Sequence, residues 1–387
     1  MRKTFLYRIY PTKAQATRLR QMLDECRWTY NQLLAQRKVY WEEAGLLVGL
    51  YDQHAYLPLL KEERPSLTNV HSQVLQNVAV RIDLAFQAFF RRVKAGAEPG
   101  YPRFRGVGRY DSLTYPQYGN GAKLNGRQLQ LSKVGNVAVV LHRPLEGTPK
   151  TVTIKRSSTG KWYATISCAW EPTPLPPNER AVGIDVGLTH FATLSDGEEI
   201  ANPRFFRQEE RALAKVQRAH AKLEKGSPAR RKHRPAVARV HERTRWRRQN
   251  HAHQHSRRII NAQQVIAVED IDASRLVHNH CLAKSIYDAA WTEFRDYLAY
   301  KAAWAGRQYI AVNPAYTSQD CHRCGHRQKM PLAERMFHCP CCGLVLDRDH
   351  NAALNILARG LAGIGSQSVA ATPLQRLWSN HSSTTSL

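Results

Sequence analysis

The amino-acid sequence predicts a multidomain α+β protein. An antiparallel β domain carrying a helical insertion is followed by an α/β domain that contains a short cysteine-rich segment. Three observations predict it. Apolar residues change between helical and strand periods before residue 170, the run PTPLPP occupies 172–177, and apolar strands alternate with helices beyond it. A chain of 387 residues has room for two or three such domains.

Phe5, Tyr7 and Ile9 alternate with polar residues and then meet Pro11, which predicts a short strand ending at a helix start. Thr12 and Gln15 have the spacing of a capping box. Leu19, Leu23, Cys26, Tyr30 and Leu33 then recur at three- and four-residue intervals, as do Val74, Val78, Ile82, Phe86, Phe89 and Val93. These are two amphipathic helices expected to pack together. From about 121 to 170 the period changes, with Val137, Val139, Val152, Ile154, Tyr163 and Thr165 alternating around a turn at 157–160. The strand at Phe5 has no nearby partner, so the helical block is read as an insertion into this β domain. Prolines at 172–177 exclude a helix or central strand and mark a linker. After it come the strand VGIDVG, the strand FATLSDG turning at Asp196-Gly197, and an Arg-rich helical stretch at 207–258 broken at Gly226–Pro228. The strand VIAVED, a helix over Ile286–Ala305 and the strand QYIAVN complete a largely parallel sheet opened by a hairpin. The final residues, SNHSSTTSL, read as disordered.

Lys and Arg number 57 against 31 Asp and Glu, a formal net charge of +26, while 43% of residues are apolar. That composition excludes a wholly disordered basic chain and places the excess charge on folded surfaces. Forty of the cations are Arg, whose planar fork suits phosphate oxygens and base faces, so a nucleic-acid partner is preferred over a membrane surface. The N-terminal MRKTFLYRIYPTKAQ lacks an apolar signal-peptide core, and Arg81 and Asp83 interrupt the stretch Val78–Phe90. A cytoplasmic, non-membrane protein is expected. Five of the eight Cys fall between Cys321 and Cys342, which in a reducing compartment reads as a metal site.

Two carboxylates interrupt apolar strands: Asp185 and Glu269. Such acids are costly to bury unless they are paired or bind a cation. Ligands gather at the carboxyl ends of strands in open α/β sheets, where a third acid from LDRDHNAALNI, Asp347 or Asp349, would join them. Oxygen donors of this kind suit Mg²⁺ or Mn²⁺, and two such ions about 3.5–4 Å apart support phosphodiester cleavage. The plainer alternative puts Asp185 in a turn and makes Asp347 or Asp349 a helix cap.

Cys321-His-Arg-Cys324 and Cys339-Pro-Cys341-Cys342 form two CxxC knuckles separated by 14 residues, close to zinc-ribbon spacing. The spacing selects Cys321, Cys324, Cys339 and Cys342 as ligands of a structural Zn²⁺ and leaves Cys341 surplus. His322, His326 and His338 rank below a filled four-thiolate site.

Residues 201–260 hold 18 Lys and Arg against 4 Glu, too one-sided for internal pairing. We read the stretch as a phosphate-lining helix, with Arg243 and Arg247 as candidate contacts. Tyr101, Arg103, Phe104 and Arg105 mix rings with guanidinium groups, a combination used to stack bases and grip backbone. The His251, His253, His255 trio and the His278, His280, Cys281 group are weaker metal candidates.

In that order along the chain, GIDVG at 183–187, VEDI at 268–271, TSQDCHRCG at 317–325 and DRDHNAALNI at 347–356 resemble the TnpB family of transposon-encoded nucleases, which are similar to type V CRISPR effectors. The resemblance is sharp over about 181–357. In the N-terminal half it rests on YPTKAQ and GYPRFRG. It implies a β-barrel wedge domain at 1–11 and 114–178 with a helical recognition insertion at 12–113. An RNase H-like (RuvC) α/β domain would follow at 179–318 and 346–370, interrupted by a zinc ribbon at 319–345, with a disordered tail at 371–387. It also implies that Asp185, Glu269 and Asp349 are the catalytic acids, with Asp347 a neighbour or cap. The implied activity is RNA-guided DNA endonuclease: a transposon-derived guide RNA and a short target-adjacent motif direct Mg²⁺-dependent, two-metal-ion cleavage of double-stranded DNA. A monomer is expected. The alternative reading is a nuclease-inactive RNA-guided DNA-binding repressor. A transposase that joins DNA ends unaided ranks third, since no HUH-type His pair accompanies a nucleophilic Tyr.

Overall fold

The computed structural model describes residues 1–272, 276–331 and 333–366; the tail expected at 371–387 lies outside the described residues. The chain divides into two compact units, residues 1–171 with 231–238, and 172–230 with the described residues from 239 onward. Among the described residues, no helix is long and apolar enough to cross a membrane.

In the first unit, strand β1 (Arg2–Tyr10) is followed by helices α1 (Lys13–Ala44), α2 (Leu50–Glu63) and α3 (Ser72–Lys94), then by strands β2 (Ser112–Tyr115), β3 (Ala122–Asn125), β4 (Gln128–Leu131), β5 (Gly135–Val140), β6 (Thr148–Arg156) and β7 (Trp162–Ala169). The seven strands form a nearly closed, barrel-like antiparallel sheet of order β2-β6-β7-β1-β5-β4-β3. β1 therefore lies between β7 and β5, and the three helices separate it in sequence from all its sheet partners. Thr12 and Gln15 cap α1 reciprocally: the Gln15 N–H donates to the Thr12 hydroxyl at 3.3 Å and the Thr12 N–H to Gln15 Oε1 at 3.0 Å. Gly45, left-handed at φ 62°, ends the helix. The buried stripe of α1, including Leu19, Leu23, Cys26, Tyr30 and Leu33, shares one core with Val74, Val78, Ile82 and Phe86 of α3. Helix α2 has no counterpart in the sequence reading, because its buried residues are only Gln53, Leu57 and Leu60 and Pro58 sits inside it.

The second unit contains β8 (Ala181–Val186), β9 (His190–Leu194), β10 (Glu199–Ala201), α4 (Phe205–Ala221), α5 (Pro228–Ala262, of which 231–238 belong to the first unit), β11 (Val265–Glu269), α6 (His280–Ala289), α7 (Trp291–Ala305) and β12 (Gln308–Val312). The hairpin strands β13 (Met336–His338) and β14 (Val345–Asp347) and the helix α8 (Arg348–Ser366) follow. Its five-stranded sheet has the order β10-β9-β8-β11-β12. β8 runs parallel to β11 and β11 to β12, while β9 and β10 are antiparallel. Four of the five strands thus run in one direction and β9 is reversed, the largely parallel sheet opened by a hairpin that the sequence suggests; the three-residue β10 is too short to leave a period. The helix expected over Ile286–Ala305 is interrupted at Ala290, whose φ is 54°. The bend lets Ile286 and Trp291 both enter the core, and it presents the buried Asp288 carboxylate to the Phe206 N–H at 2.9 Å. That carboxylate supplies the N-terminus of α4 with the acceptor its own sequence lacks.

Glycine decides how α8 lies on this sheet. A Cβ on Gly183 of β8 would stand 2.1 Å from the Ala353 carbonyl oxygen and 2.6 Å from the Leu357 nitrogen, and one on Gly360 would stand 2.5 Å from the Ala267 Cβ. Only glycine permits this backbone approach. Gly183→Ala is expected to lift α8 from β8, costing about 3 kcal/mol and lowering the melting temperature by roughly 5–10 °C. An unchanged thermal transition would show that the helix does not depend on this contact.

Candidate active site and thiolate cluster

Parallel pairing fixes the first two acids. Ile184 of β8 is the register partner of Val268 of β11, so Asp185 and Glu269 are the next residues along neighbouring strands. Glu269 is buried and Asp185 half-buried. Asp349 arrives from the first turn of α8 and is also buried, its Oδ2 lying 3.9 Å from where a Gly187 side chain would begin. The close packing of α8 on Gly183 therefore brings the third acid over the end of β8. Asp347 does something else: its Oδ1 accepts the N–H groups of Asp349 at 2.8 Å and His350 at 3.0 Å, capping α8.

The three acids share one electrostatic environment. Burial, followed by the charges of Glu269 and Asp349, pushes the Asp185 carboxyl well above the usual carboxylate range, against an opposing pull from Arg348. Burial also raises Glu269, opposed by the Thr317 hydroxyl and then by Arg359 and Arg295. Asp349 is held by cations, with Arg348 Nη2 3.0 Å from its Oδ1 and Arg335 Nη1 3.5 Å from its Oδ2. Like-charged carboxyl groups that act on one another in this way repel, and a divalent cation held by their oxygens would relieve that repulsion.

The cysteines are drawn tighter than the acids. Among the described residues, Cys321, Cys324, Cys339 and Cys342 alone bring three or more His, Cys, Asp or Glu ligand atoms within 4.8 Å of one another. The Cys321–Cys342 and Cys324–Cys339 sulfur pairs are 3.6 and 3.5 Å apart. Those distances exceed a disulfide bond and approach the roughly 3.8 Å between corners of a tetrahedron with 2.3 Å Zn–S bonds. The four thiols thus fit zinc. Although burial acts to raise it, the Cys339 thiol is held down to about 6 by the backbone N–H groups of Cys342 and Cys341. Cys341 contributes that N–H and lies outside the thiol cluster, with its residue exposed.

The predicted nucleic-acid contacts are spread out. Tyr101, Arg103, Phe104 and Arg105 are all exposed. Tyr101 stands edge-on to Phe86 and Phe89, and Arg105 lies over the Tyr30 ring. Asn31 clasps the Arg105 backbone, accepting its N–H at 2.8 Å and donating to its carbonyl at 3.0 Å. Arg243 and Arg247, one turn apart on α5, both bond to the buried Glu209 carboxylate, at 3.3 and 3.0 Å. That pairing answers part of the one-sided charge. A basic cavity of about 570 Å³ in the first unit escaped the sequence reading: Arg8, Lys13, Arg20 and Arg156 line it with Tyr10 and Trp162. Its cations are scattered from residue 8 to residue 156, so no local run marks it. The buried Thr317, Asn351 and Asn355 beside the acids were also missed, although an i,i+4 pair of Asn on an apolar helix face is a visible signal.

Fold and site together define a basic protein of two units, one built on a barrel-like sheet with inserted helices, the other bearing a carboxylate cluster and a four-cysteine cluster. Residues 165–280 match a family model described as "Probable transposase", residues 291–356 one described as "Cas12f1-like, TNB domain", and residues 1–45 one described as "Helix-turn-helix domain". In this structure those first 45 residues form a strand and one uninterrupted helix. The chain is 39% identical over 371 residues to a "Putative RNA-guided DNA endonuclease" of Streptomyces pristinaespiralis, covering 94% of this chain and 90% of that protein. It is 31% identical to "Putative RNA-guided DNA endonuclease InsQ" of Escherichia coli K12, covering 93% and 92%. Among solved structures, CasPhi-2 (Cas12j) bound to crRNA aligns over 96% of this chain and 99% of that one, with 10% identity and a TM-score of 0.46. The chain belongs to the TnpB family.

Proposed function

We propose that the protein is an RNA-guided DNA endonuclease that cleaves a duplex paired to its guide RNA by two-metal-ion hydrolysis. The observation that carries this reading is the placement of Asp185, Glu269 and Asp349 at one end of the sheet, where burial and then the charges of the other two acids raise the Asp185 carboxyl. The names of the relatives, RNA-guided DNA endonucleases matched over nearly the full chain, support the same activity.

In this reading an RNase H-like (RuvC) domain occupies 179–318 and 346–370, of which 367–370 lie outside the described residues, and a zinc ribbon at 319–345 interrupts it. A wedge domain at 1–11 and 114–178, with a helical recognition insertion at 12–113, carries the barrel-like sheet, whose β2 begins two residues before that boundary, at Ser112. Asp185, Glu269 and Asp349 hold Mg²⁺ or Mn²⁺. Bound there, such ions supply an activated water and stabilise the leaving oxygen, giving 5′-phosphate and 3′-hydroxyl ends. Strands β8 and β11 fix Asp185 and Glu269, and Asp349, which contacts Arg348 and Arg335, would complete the ligand set. Tyr101, Arg103, Phe104, Arg105 and the cavity around Arg20 and Arg156 grip the backbone of guide and target, while base pairing selects the sequence.

Purification of the chain with its bound RNA tests the proposal. One discrete RNA species is expected, and DNA complementary to its guide portion should be cut only with Mg²⁺ or Mn²⁺. Random RNA fragments without a metal-dependent product would reduce the protein to a polyanion binder. Specific target binding without cutting would identify a repressor.

A further inference from the structure

Thr317 lies between β12 and the first knuckle, is 3% exposed, and donates its hydroxyl to Glu269 Oε1. Its own carbonyl accepts from Asn355 Nδ2 at 2.8 Å, and the same Nδ2 reaches the Asp320 carbonyl at 2.7 Å. One turn earlier, the fully buried Asn351 donates to the Asp320 carbonyl at 2.8 Å and accepts the His322 N–H at 3.1 Å. The Asp320 carboxylate is held by Arg327 at 2.6 Å and by Arg359, also on α8, at 3.0 Å. Segment 317–322 is therefore fastened along its length to α8, the helix that carries Asp349. Buried carboxamides are costly among apolar residues such as Ala352, Ala353 and Ile356 unless their bonds are used. Here those bonds converge on one segment, with Glu269 at one end and Cys321 at the other.

We propose that Thr317 is a positioning residue for Glu269, and that the segment from Thr317 to His322 is a strut through which the four-cysteine cluster sets that carboxylate for its cation. The proposal rests on the reading of Glu269 as a cation ligand. An apolar residue would fill the space at 317 equally well; only the hydroxyl orients the carboxylate. By bonding one oxygen of Glu269 it would leave the other available to a cation. Closing the thiols on zinc fixes Cys321, and the strut carries that constraint back four residues to Thr317.

Thr317→Val keeps the branched shape and removes the hydroxyl. In the RNA-bound, zinc-loaded protein, Mn²⁺ binding measured by electron paramagnetic resonance is expected to weaken about tenfold. The Mg²⁺ concentration for half-maximal cleavage should rise by a similar factor, more than the rate at saturating Mg²⁺ falls, and Thr317→Ser should restore both. Removing zinc should weaken Mn²⁺ binding in the unsubstituted protein and add nothing further in Thr317→Val. Unaltered Mn²⁺ affinity in Thr317→Val overturns the positioning role, and a zinc effect that simply adds to that of the substitution overturns the strut. Glu269→Gln separates the two levels. If it binds Mn²⁺ and cleaves normally, the reading of Glu269 fails and takes the proposal with it; if it loses both while Thr317→Val stays normal, only the positioning role fails.

Discussion

Asp185→Asn is expected to slow DNA cleavage by at least about a thousandfold while leaving RNA and target binding within about twofold. The substitution keeps the shape of the side chain and removes only the charge that would hold a divalent cation between β8, β11 and α8. Its effect on stability should have the opposite sign. Burial and the charges of Glu269 and Asp349 raise the Asp185 pKa in the folded protein. The folded chain then binds more protons than the unfolded chain at pH values above about 4, so the metal-free protein loses stability as pH rises through that window up to the folded pKa. Asn removes this penalty. In magnesium-free buffer the variant should melt above the unsubstituted protein near neutral pH, with the gap closing toward pH 4. A variant that is both inactive and less stable would point to a structural role for Asp185.

Cys339→Ser is expected to reduce bound zinc from about one ion per chain to nearly none and to open residues 319–345 to proteolysis. The buried apolar cluster around the knuckles consists of Cys321, Phe337, Cys339 and Leu344, with Met330, Cys342 and Leu346 packed against it. So small a core cannot offset the conformational entropy of the segment, whereas zinc bound by thiolates contributes about 10–16 kcal/mol in zinc-finger peptides. Cys341→Ser should keep its zinc, since that side chain stands outside the cluster. Metal content by mass spectrometry and limited proteolysis read both outcomes. Equal zinc loss from both variants would assign the wrong ligand set.

What the sequence displays and what it hides follow from the range of the interactions. The capping box at Thr12 and Gln15, the stripes of α1 and α3 and the CxxC spacing are local patterns, and each reports its own structure. Asp185 and Glu269 stand out because a charge in an apolar strand contradicts its surroundings. Helix α2 and strand β10 are hidden by a weak apolar pattern in one and three-residue length in the other. The bend at Ala290 is hidden because the capping of α4 by Asp288 that it permits joins residues 82 positions apart. Likewise, Arg243 and Arg247 read as free cations until folding brings them to Glu209, and Thr317 reads as a loop residue until it meets Glu269. The choice of Asp349 over Asp347 came from the family resemblance. Its physical counterpart is that Asp347 spends its oxygen on the N-terminus of α8 while Asp349 turns toward the strand ends.

The most direct test of shared cation binding is anomalous diffraction from the RNA-bound protein with target DNA and Mn²⁺, using Asp185→Asn as the comparison. Two peaks about 3.5–4 Å apart are expected, touching Asp185, Glu269 and Asp349 and absent from the variant. Manganese bound elsewhere, or peaks that persist without the Asp185 charge, would contradict it.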